Sequence, residues 1–362
     1  MSLVERAASV CIAHGLPLAL RGRPGVGKTS LIESVSQRLG LACEVVVGSL
    51  REPTDFAGLP VVTDKGDVRL AAPAWASRAA MATNGSVILL DELTTASPAV
   101  QAAMLRVVRE RVVGEMTLPK HVRVVAAYND ADDCGGYELE LPMRSRLVHM
   151  NVTPDIDTFT TGITSGWSID PAPAPQIDMS AVAVHRQKWS NMVAAFIKSR
   201  PTMLECPPPK GSWGGYPTPR TWDMAIAAAA ASDASGESDD VRELLIIGCI
   251  GPAASTEFVT FAENLDLPSP VDLLADPGSA SGVFDTRRPD RNMVILLEVA
   301  QEVARSGTAG AWQNAWIIGS HAVSAGFGDL VAWAFRPLPS LRPSGAVVPQ
   351  EFARIAEFLA PA

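Results

Sequence analysis

Short apolar runs alternate with amphipathic segments along the first 150 residues of the chain. The apolar runs, which predict buried strands, are Leu16–Leu20, Ala42–Val47, Ser86–Leu90, Val122–Ala127 and Leu147–Val152. The segments with helical spacing are Lys28–Leu39, Pro73–Thr83 and Pro98–Arg109. Strands that alternate with helices are typical of a parallel sheet covered on both faces. The pattern therefore predicts an α/β fold with a doubly wound parallel sheet.

Two segments interrupt this alternation. Val61–Ala71 has a Lys-Gly-Asp turn between alternating flanks, and Arg111–Pro119 has Gly114 between two short apolar flanks. Both patterns predict β-hairpins. They are insertions relative to a minimal doubly wound domain.

Proline and glycine clusters break the pattern after residue 153. PAPAP occupies 171–175 and PPPKGSWGGYP occupies 207–217, and neither continues a helix or a central strand. Between them, only Met179–Ser199 has helical spacing. From Arg220 onward the pattern is almost entirely helical. The helices predicted there are 220–232, 239–250, 253–264, 290–305, 310–325 and 348–360.

The pattern as a whole divides the chain into three segments. Residues 1–153 are predicted to form the α/β domain, and residues 154–218 a Pro/Gly-rich linker with one helix. Residues 219–362 are predicted to form an all-helical domain with C-terminal helices. A chain of 362 residues is long enough for two such domains.

Composition narrows the classes of function. Hydrophobic residues make up 47% and charged residues 19%, which is typical of globular proteins, and the net charge is −9. An acidic chain without a Lys/Arg run argues against general binding of nucleic acid or anionic membranes. Five scattered cysteines without a C-x-x-C pair predict reduced thiols in the cytoplasm. Neither a signal peptide nor a long apolar run is evident, so no membrane association is expected.

A glycine-rich motif lies between the first predicted strand and the first predicted helix. Residues 22–29, GRPGVGKT, fit the phosphate-binding pattern G-x-x-x-x-G-K-[ST]. Backbone amides of such a loop, together with the helix N-terminus, point at phosphate. The residues expected to contact the nucleotide are Gly22, Arg23, Pro24, Gly25, Val26, Gly27, Lys28, Thr29 and Ser30. Lys28 is predicted to meet the β- and γ-phosphates, and the Thr29 hydroxyl to bind Mg²⁺.

Polar side chains follow two of the predicted strands. Asp91 and Glu92 end SVILLDE, and Asn129 follows Val122–Ala127. Ligands bind at the carboxyl ends of strands in open α/β sheets. Asp91 is therefore predicted to hold Mg²⁺, Glu92 to activate the attacking water as general base, and Asn129 to orient that water beside the γ-phosphate.

Three arginines are candidates for stabilising charge on a transferred phosphoryl group. Arg144 and Arg146 lie in LPMRSRL, before the last predicted strand, and either is a candidate to act on a neighbouring subunit's nucleotide. Arg220 starts the first helix of the second domain. That position predicts a contact with the γ-phosphate that links the domain angle to the nucleotide state.

Together these motifs resemble the MoxR-type AAA+ ATPases, in the branch that includes magnesium-chelatase-like subunits. GRPGVGKT, VILLDE and VVAAYND resemble Walker A, Walker B and sensor 1, PMRSR resembles the arginine finger, and TPRT resembles sensor 2. REPTDFAGLPV at 51–61 resembles the family's insertion in the second helix, and RVVGEMTLP its pre-sensor hairpin. The resemblance extends from about residue 10 to about residue 305, apart from residues 154–215.

The resemblance implies a P-loop AAA+ core followed by a helical lid. It implies ATP and Mg²⁺ as ligands and a hexameric ring in which a neighbour's arginine completes each site. It also implies a partner with a von Willebrand factor A domain and a protein client that is remodelled or matured, as by a chaperone.

Other functions stay open at this point. A nucleotide-gated scaffold with little turnover would share the phosphate loop, but it would have no need of Glu92. A nucleic-acid-linked AAA+ motor is disfavoured by the acidic composition. A metabolic P-loop kinase is the weakest alternative, because it needs neither the arginines nor the helical lid.

Overall fold

The computed structural model describes residues 1–130, 133, 136–166 and 178–359. Cys134, residues 171–175 and the last residue of the predicted helix 348–360 lie outside these ranges. Within them the chain divides into two compact units. The first unit contains residues 1–186 and 204–256, and the second contains residues 187–203 and 257–362.

A five-stranded sheet forms the centre of the first unit. Its strands are β1 (Leu18–Arg21), β2 (Ala42–Val47), β5 (Ser86–Asp91), β8 (Val122–Tyr128) and β9 (Val148–Asn151). Their order is β2-β5-β8-β1-β9, and every neighbouring pair is parallel. Most residues of β1, β5, β8 and β9 are buried, as expected for a sheet covered on both faces, whereas the edge strand β2 is mostly half-buried. The predicted α/β fold with a doubly wound parallel sheet is therefore confirmed.

The described helices of the first unit lie before, between and after these strands in the chain. They are α1 (Leu3–His14), α2 (Lys28–Arg38), α3 (Thr54–Ala57), α4 (Ala74–Met81), α5 (Pro98–Glu110), α6 (Leu141–Arg144), α7 (Ile156–Ser165), α9 (Pro219–Ala234) and α10 (Asp239–Ile250). Sequence signals set their ends. Ser97 accepts a hydrogen bond from the Val100 amide at the start of α5, and Gly15 adopts a left-handed conformation after α1.

The second unit is helical. It contains α12 (Pro270–Ala275), α13 (Pro289–Ser306), α14 (Ala309–Ser324), α15 (Gly328–Ala334) and α16 (Gln350–Leu359), with parts of α8 (Met179–Ser199) and α11 (Pro252–Glu263). Its core is aromatic: Trp316 lies edge-on to Trp312 and Phe335, with ring centroids 5.7 Å and 5.8 Å apart. The predicted helical region after the α/β domain is thus present.

The segment predicted as a linker with one helix is different in the structure. It contains α7 in addition to α8, because Asp155 caps the first turn of α7 and Gly166 ends it in a left-handed conformation. The threonine-rich sequence of α7 concealed this helix. Contacts also divide the chain inside α8 and α11, away from the predicted boundaries at 153 and 218. α9 and α10 belong to the unit that contains the sheet.

The two predicted hairpins are present and are bonded to each other. The first consists of β3 (Leu59–Val62) and β4 (Val68–Ala71), and the second of β6 (Val112–Val113) and β7 (Met116–Thr117). A hypothetical Cβ on Gly58 would lie 2.8 Å from the Gly114 Cα, and one on Gly114 would lie 2.7 Å from the Leu70 carbonyl oxygen. The Glu115 amide donates to Leu70 and the Gly114 amide donates to Phe56. The hairpins therefore pack backbone to backbone.

Among the described residues, no helix has the length and apolar character required to span a membrane.

Candidate nucleotide site

The phosphate loop connects β1 to α2 at the carboxyl edge of the sheet. A Cβ on Gly22 would lie 2.5 Å from the Val152 carbonyl oxygen, so only glycine fits there. Gly25 and Gly27 have φ angles of 79° and 92°, a region that favours glycine. Gly27 precedes α2 without a side-chain cap, so the first helical amides are available to an anion. The loop therefore has the positive-φ glycines and the uncapped helix start that an anion-binding loop requires.

Lys28 connects the loop to the neighbouring strand end. Its ammonium group donates to the carbonyl oxygens of Gly22 and Arg23, at 2.7 Å and 3.0 Å, and to Asn129 Oδ1 at 2.6 Å. Lys28 is 8% exposed, so its positive charge lies inside the phosphate loop and is largely shielded from solvent. The structure thus brings together Lys28 and Asn129, which the sequence placed at one site from separate motifs.

Thr29 and Asp91 provide a pair of oxygen ligands. The Thr29 hydroxyl donates to Asp91 Oδ2 at 2.7 Å, and Asp91 ends β5. A hydroxyl and a carboxylate beside a phosphate-binding loop are the ligand types that Mg²⁺ accepts. The residues present therefore fit the cation that the sequence predicted.

Glu92 has an unusual backbone and a close partner. Its φ is 56°, in a region that non-glycine residues seldom occupy, and its carboxylate accepts a hydrogen bond from the Ser49 hydroxyl. Sequence reasoning missed Ser49. No sequence signal identified Ser49, because its contact with Glu92 depends on the pairing of β2 with β5 that places Val47 opposite Asp91.

A second missed cluster lies where β1 and β8 end. Arg21 Nε donates to Asp130 Oδ1 at 2.5 Å, and its guanidinium also donates to Asn151 Oδ1 at 3.2 Å. The ring centroid of Trp213 lies 4.3 Å from the guanidinium carbon. Arg21 directly precedes Gly22, and Asp130 directly follows Asn129. The cluster therefore ties the start of the phosphate loop to the residue predicted to sense the γ-phosphate.

The structure distinguishes the two candidate arginines of the segment 141–146. Arg144 is 7% exposed, and its Nε donates to the Gly214 carbonyl oxygen at 2.9 Å. Burial lowers the pKa of Arg144. Arg146 is partly exposed and donates to the Pro142 carbonyl oxygen. Arg144 is thus engaged within its own chain, whereas Arg146 is accessible.

Arg220 lies beside Arg146. Its guanidinium donates to the Ser145 hydroxyl at 3.4 Å. Burial, together with the positive charges of Arg220 and Arg109, lowers the pKa of Arg146. The structure therefore places Arg220 against the segment 141–146. The contact of Arg220 with the γ-phosphate stays a prediction.

The segment 141–146 enters β9 at the end of that strand opposite the phosphate loop. Val148 pairs with Leu18 at the start of β1, and Asn151 pairs with Arg21 at its end. Arg146 precedes Val148, whereas the loop follows Arg21. The length of β1, about 10 Å at the usual rise per residue, therefore separates the two strand ends.

His149 bonds to the backbone of the segment 141–146. The Tyr128 hydroxyl and His149 Nδ1 are 3.0 Å apart, and His149 Nε2 lies 3.0 Å from the Arg144 carbonyl oxygen. A carbonyl only accepts, so Nε2 carries the proton and Nδ1 accepts from the tyrosine. Burial lowers the pKa of His149 to about 4. The imidazole is therefore neutral at pH 7.

Comparisons with known proteins agree with this geometry. A family model described as an AAA domain of the dynein-related subfamily matches residues 17–147. The transcriptional regulatory protein XylR of Pseudomonas putida is 33% identical over 146 residues, which are 37% of this chain and 26% of XylR. The chain thus spans about a quarter of that relative.

A crystal structure from Cytophaga hutchinsonii, described as a "putative ATPase", aligns with a TM-score of 0.46 and 14% identity. The alignment covers 73% of this chain and 89% of that one. At these values the likeness adds no functional argument. The match over residues 17–147 covers the phosphate loop and four of the five strands of the sheet, and this part of the chain is therefore similar to the AAA domain of the dynein-related subfamily.

Proposed function

We propose that the protein hydrolyses ATP to ADP and phosphate, with Mg²⁺, as the motor of a homo-oligomeric ring. One observation carries this proposal. Lys28, Asn129, Thr29, Asp91 and Glu92 come from three separate motifs and converge at one edge of the sheet, in two directly bonded groups. A site that only bound nucleotide would need the loop but not a base at the next strand end.

In this proposal the phosphate loop binds ATP through its backbone amides and Lys28. The γ-phosphate replaces Asn129 as the partner of the ammonium group, which leaves the Asn129 amide free to orient a water molecule. Thr29 and Asp91 would hold Mg²⁺, which supplies positive charge to the phosphate oxygens.

Hydrolysis then needs a base for the attacking water and a positive charge that stabilises the transferred γ-phosphoryl group. Glu92 takes a proton from the water as its oxygen bonds to the γ-phosphorus. The bond from that phosphorus to the β–γ bridging oxygen breaks, and ADP leaves with the electron pair. Arg146 is accessible and lies in the segment that enters β9 at the end opposite the phosphate loop, and in this proposal it acts on a nucleotide bound by a second copy. Arg220 contacts the γ-phosphate and links the domain angle to the nucleotide state.

The finer assignments rest on the sequence resemblance to MoxR-type proteins. They are a hexamer, a cytoplasmic location, a partner with a von Willebrand factor A domain, and a chaperone-like action on a protein client. The exposed β3–β4 hairpin, with Val62 70% exposed and Val68 62% exposed, gives such a ring an apolar feature outside its core.

Complementation between two inactive variants tests the proposal. Lys28→Ala removes nucleotide binding, and Arg146→Ala removes the arginine that acts on a neighbour. Each alone should lose at least about 99% of ATPase activity. When the two are mixed, Lys28→Ala subunits supply Arg146 to intact loops, and activity should partly return. A mixture as inactive as its components would refute action between subunits, and an active Glu92→Gln variant would refute the base.

A second candidate, a nucleic-acid-linked regulator, is favoured only by the match to XylR, which is described as a transcriptional regulatory protein. The net charge of −9 opposes it. Binding of duplex DNA that weakens steeply with salt, and that requires bound nucleotide, would favour this candidate over protein remodelling.

A further inference from the structure

The loop that precedes α9 is fixed to the sheet-bearing unit by its backbone. We call residues 211–217 the connecting loop. A Cβ on Gly215 would lie 2.2 Å from the Cys249 carbonyl oxygen of α10, and one on Gly248 would lie 2.5 Å from the His149 carbonyl oxygen of β9. The loop, α10 and the edge strand are therefore in direct backbone contact. A shift in one must be taken up by the others, because packed interiors transmit strain.

One side chain of the connecting loop contacts the nucleotide end of the sheet. Trp213 stacks on the Arg21 guanidinium, with 4.3 Å between the guanidinium carbon and the ring centroid. Arg21 in turn bonds Asp130, which is adjacent to Asn129. Trp213 thus covers the ion pair that fixes the distance between the phosphate loop and Asn129. An arginine that stacks on an aromatic face and bonds a carboxylate has little freedom to rotate.

The residues on either side of Trp213 contact the arginine segment. Arg144 Nε donates to the Gly214 carbonyl oxygen at 2.9 Å, and its NH2 group lies 3.4 Å from the Ser212 hydroxyl. The Tyr216 ring centroid lies 5.7 Å from the same guanidinium. Arg144 is therefore held by consecutive parts of the connecting loop, and Arg146 is two residues away.

We propose that the connecting loop transmits the state of the phosphate loop to Arg146, with Trp213 and Arg144 as positioning residues. This inference rests on the proposed ATPase function. When a γ-phosphate takes the place of Asn129 on Lys28, the Asp130–Arg21 pair moves with Asn129. Trp213 follows Arg21, and the loop carries Arg144 and Arg146 with it. The connection gives each subunit a means to present Arg146 according to its own nucleotide.

The coupling assigns Trp213 a role that a surface tryptophan would not have. Trp213 is 40% exposed, and Trp333 in the second unit is 43% exposed and lies 5.7 Å from the Lys198 ammonium group. Trp333→Ala is therefore a matched control, because it also removes an exposed indole from a cation. Trp213→Phe keeps an aromatic face on Arg21 and should keep the coupling.

The test compares steady-state ATPase kinetics of the full-length variants with those of the wild type. Trp213→Ala should lower kcat about tenfold, within the range found for energetic coupling, and leave KM for ATP within about twofold. Trp213→Phe and Trp333→Ala should stay near the wild type. The decisive measurement is a double-mutant cycle: in an Arg146→Ala background, Trp213→Ala should cause no further loss, because the loop acts through Arg146.

Each outcome bears on one claim. A wild type without turnover refutes the proposed ATPase function. A wild type with turnover, and a Trp213→Ala variant that matches Trp333→Ala, refutes the coupling alone. The coupling is also refuted if the losses from Trp213→Ala and Arg146→Ala multiply, or if Trp213→Ala raises KM while kcat is unchanged.

Discussion

Replacement of Gly22 by alanine isolates the steric requirement of the phosphate loop. The new Cβ would lie 2.5 Å from the Val152 carbonyl oxygen and 3.0 Å from the Val26 Cγ2 atom. Ordinary contact begins near 3.4 Å, so the loop and the end of β9 must separate by about 0.9 Å. The obstacle is a backbone atom and not the flexible end of a side chain, so local adjustment cannot relieve it.

Two opposing free-energy contributions set the expected change in stability. Overpacking of this kind costs about 1–3 kcal/mol, and the lower backbone entropy of alanine in the unfolded chain returns roughly 0.4–1 kcal/mol. Gly22→Ala should therefore destabilise the protein by about 1–2 kcal/mol, which corresponds to a drop of roughly 2–8 °C in Tm. The shift of almost 1 Å also misplaces the amides that bind phosphate, and kcat/KM for ATP should fall about a hundredfold.

Thermal unfolding and ATPase assays of the same preparation test both numbers. Gly310→Ala is the control, because Gly310 lies in α14 with no atom within 4 Å of a hypothetical Cβ. Alanine there should raise stability by up to about 1 kcal/mol and leave turnover unchanged. A Gly22→Ala protein with the wild-type Tm and wild-type kcat/KM would show that the close approach to Val152 does not constrain the loop.

Three further predictions concern residues around the site. Ser49→Ala removes the hydrogen bond to the Glu92 carboxylate, which must accept a proton during hydrolysis. Because such a bond is worth about 1 kcal/mol, its loss should raise kcat for ATP about fivefold. A lower kcat would mean that Ser49 instead orients Glu92 for catalysis. Arg146→Ala should leave Tm within about 1 °C of the wild type. Arg144→Met should lower the free energy of unfolding by about 1–3 kcal/mol, because it leaves the buried Gly214 carbonyl oxygen without its donor. Equal effects of the two variants on denaturant unfolding would contradict the distinction between the two arginines. The pKa of His149 is about 4 in the folded protein, and its ordinary value is 6.5. Between these pH values the unfolded chain binds more protons than the folded protein. The free energy of unfolding should therefore fall as the pH drops from 6.5 towards 4, by about 3 kcal/mol for this group. His149→Gln retains a donor and an acceptor but does not titrate, and unfolding at several pH values should show a slope that is smaller by up to one proton.

The parts of the site that follow strand ends were predictable from sequence. Gly22, Lys28, Asp91 and Asn129 each lie within two residues of a strand or helix end that the hydrophobic pattern locates. In a parallel sheet such ends share one edge, so local information was sufficient to bring these residues together. Both hairpins were predictable from turn residues between alternating flanks.

The parts that depend on register or on distant segments were not predictable. Ser49 meets Glu92 only because β2 pairs with β5 in one register. The choice between Arg144 and Arg146 depends on Gly214, which lies in the segment predicted as a Pro/Gly-rich linker with one helix. Hydrophobic periodicity contains no information about such long-range contacts.

The contact between the two hairpins has a consequence for how this protein can change. Gly58 and Gly114 are far apart in the chain, yet they lie in direct backbone contact. A Cβ on Gly58 would clash with the Gly114 Cα, and a Cβ on Gly114 would clash with the backbone of residues 70–72. A side chain introduced at either glycine requires the backbones of the two hairpins to move apart. The two insertions therefore pack as one structural unit, and a change in the backbone of one hairpin requires a matching change in the other.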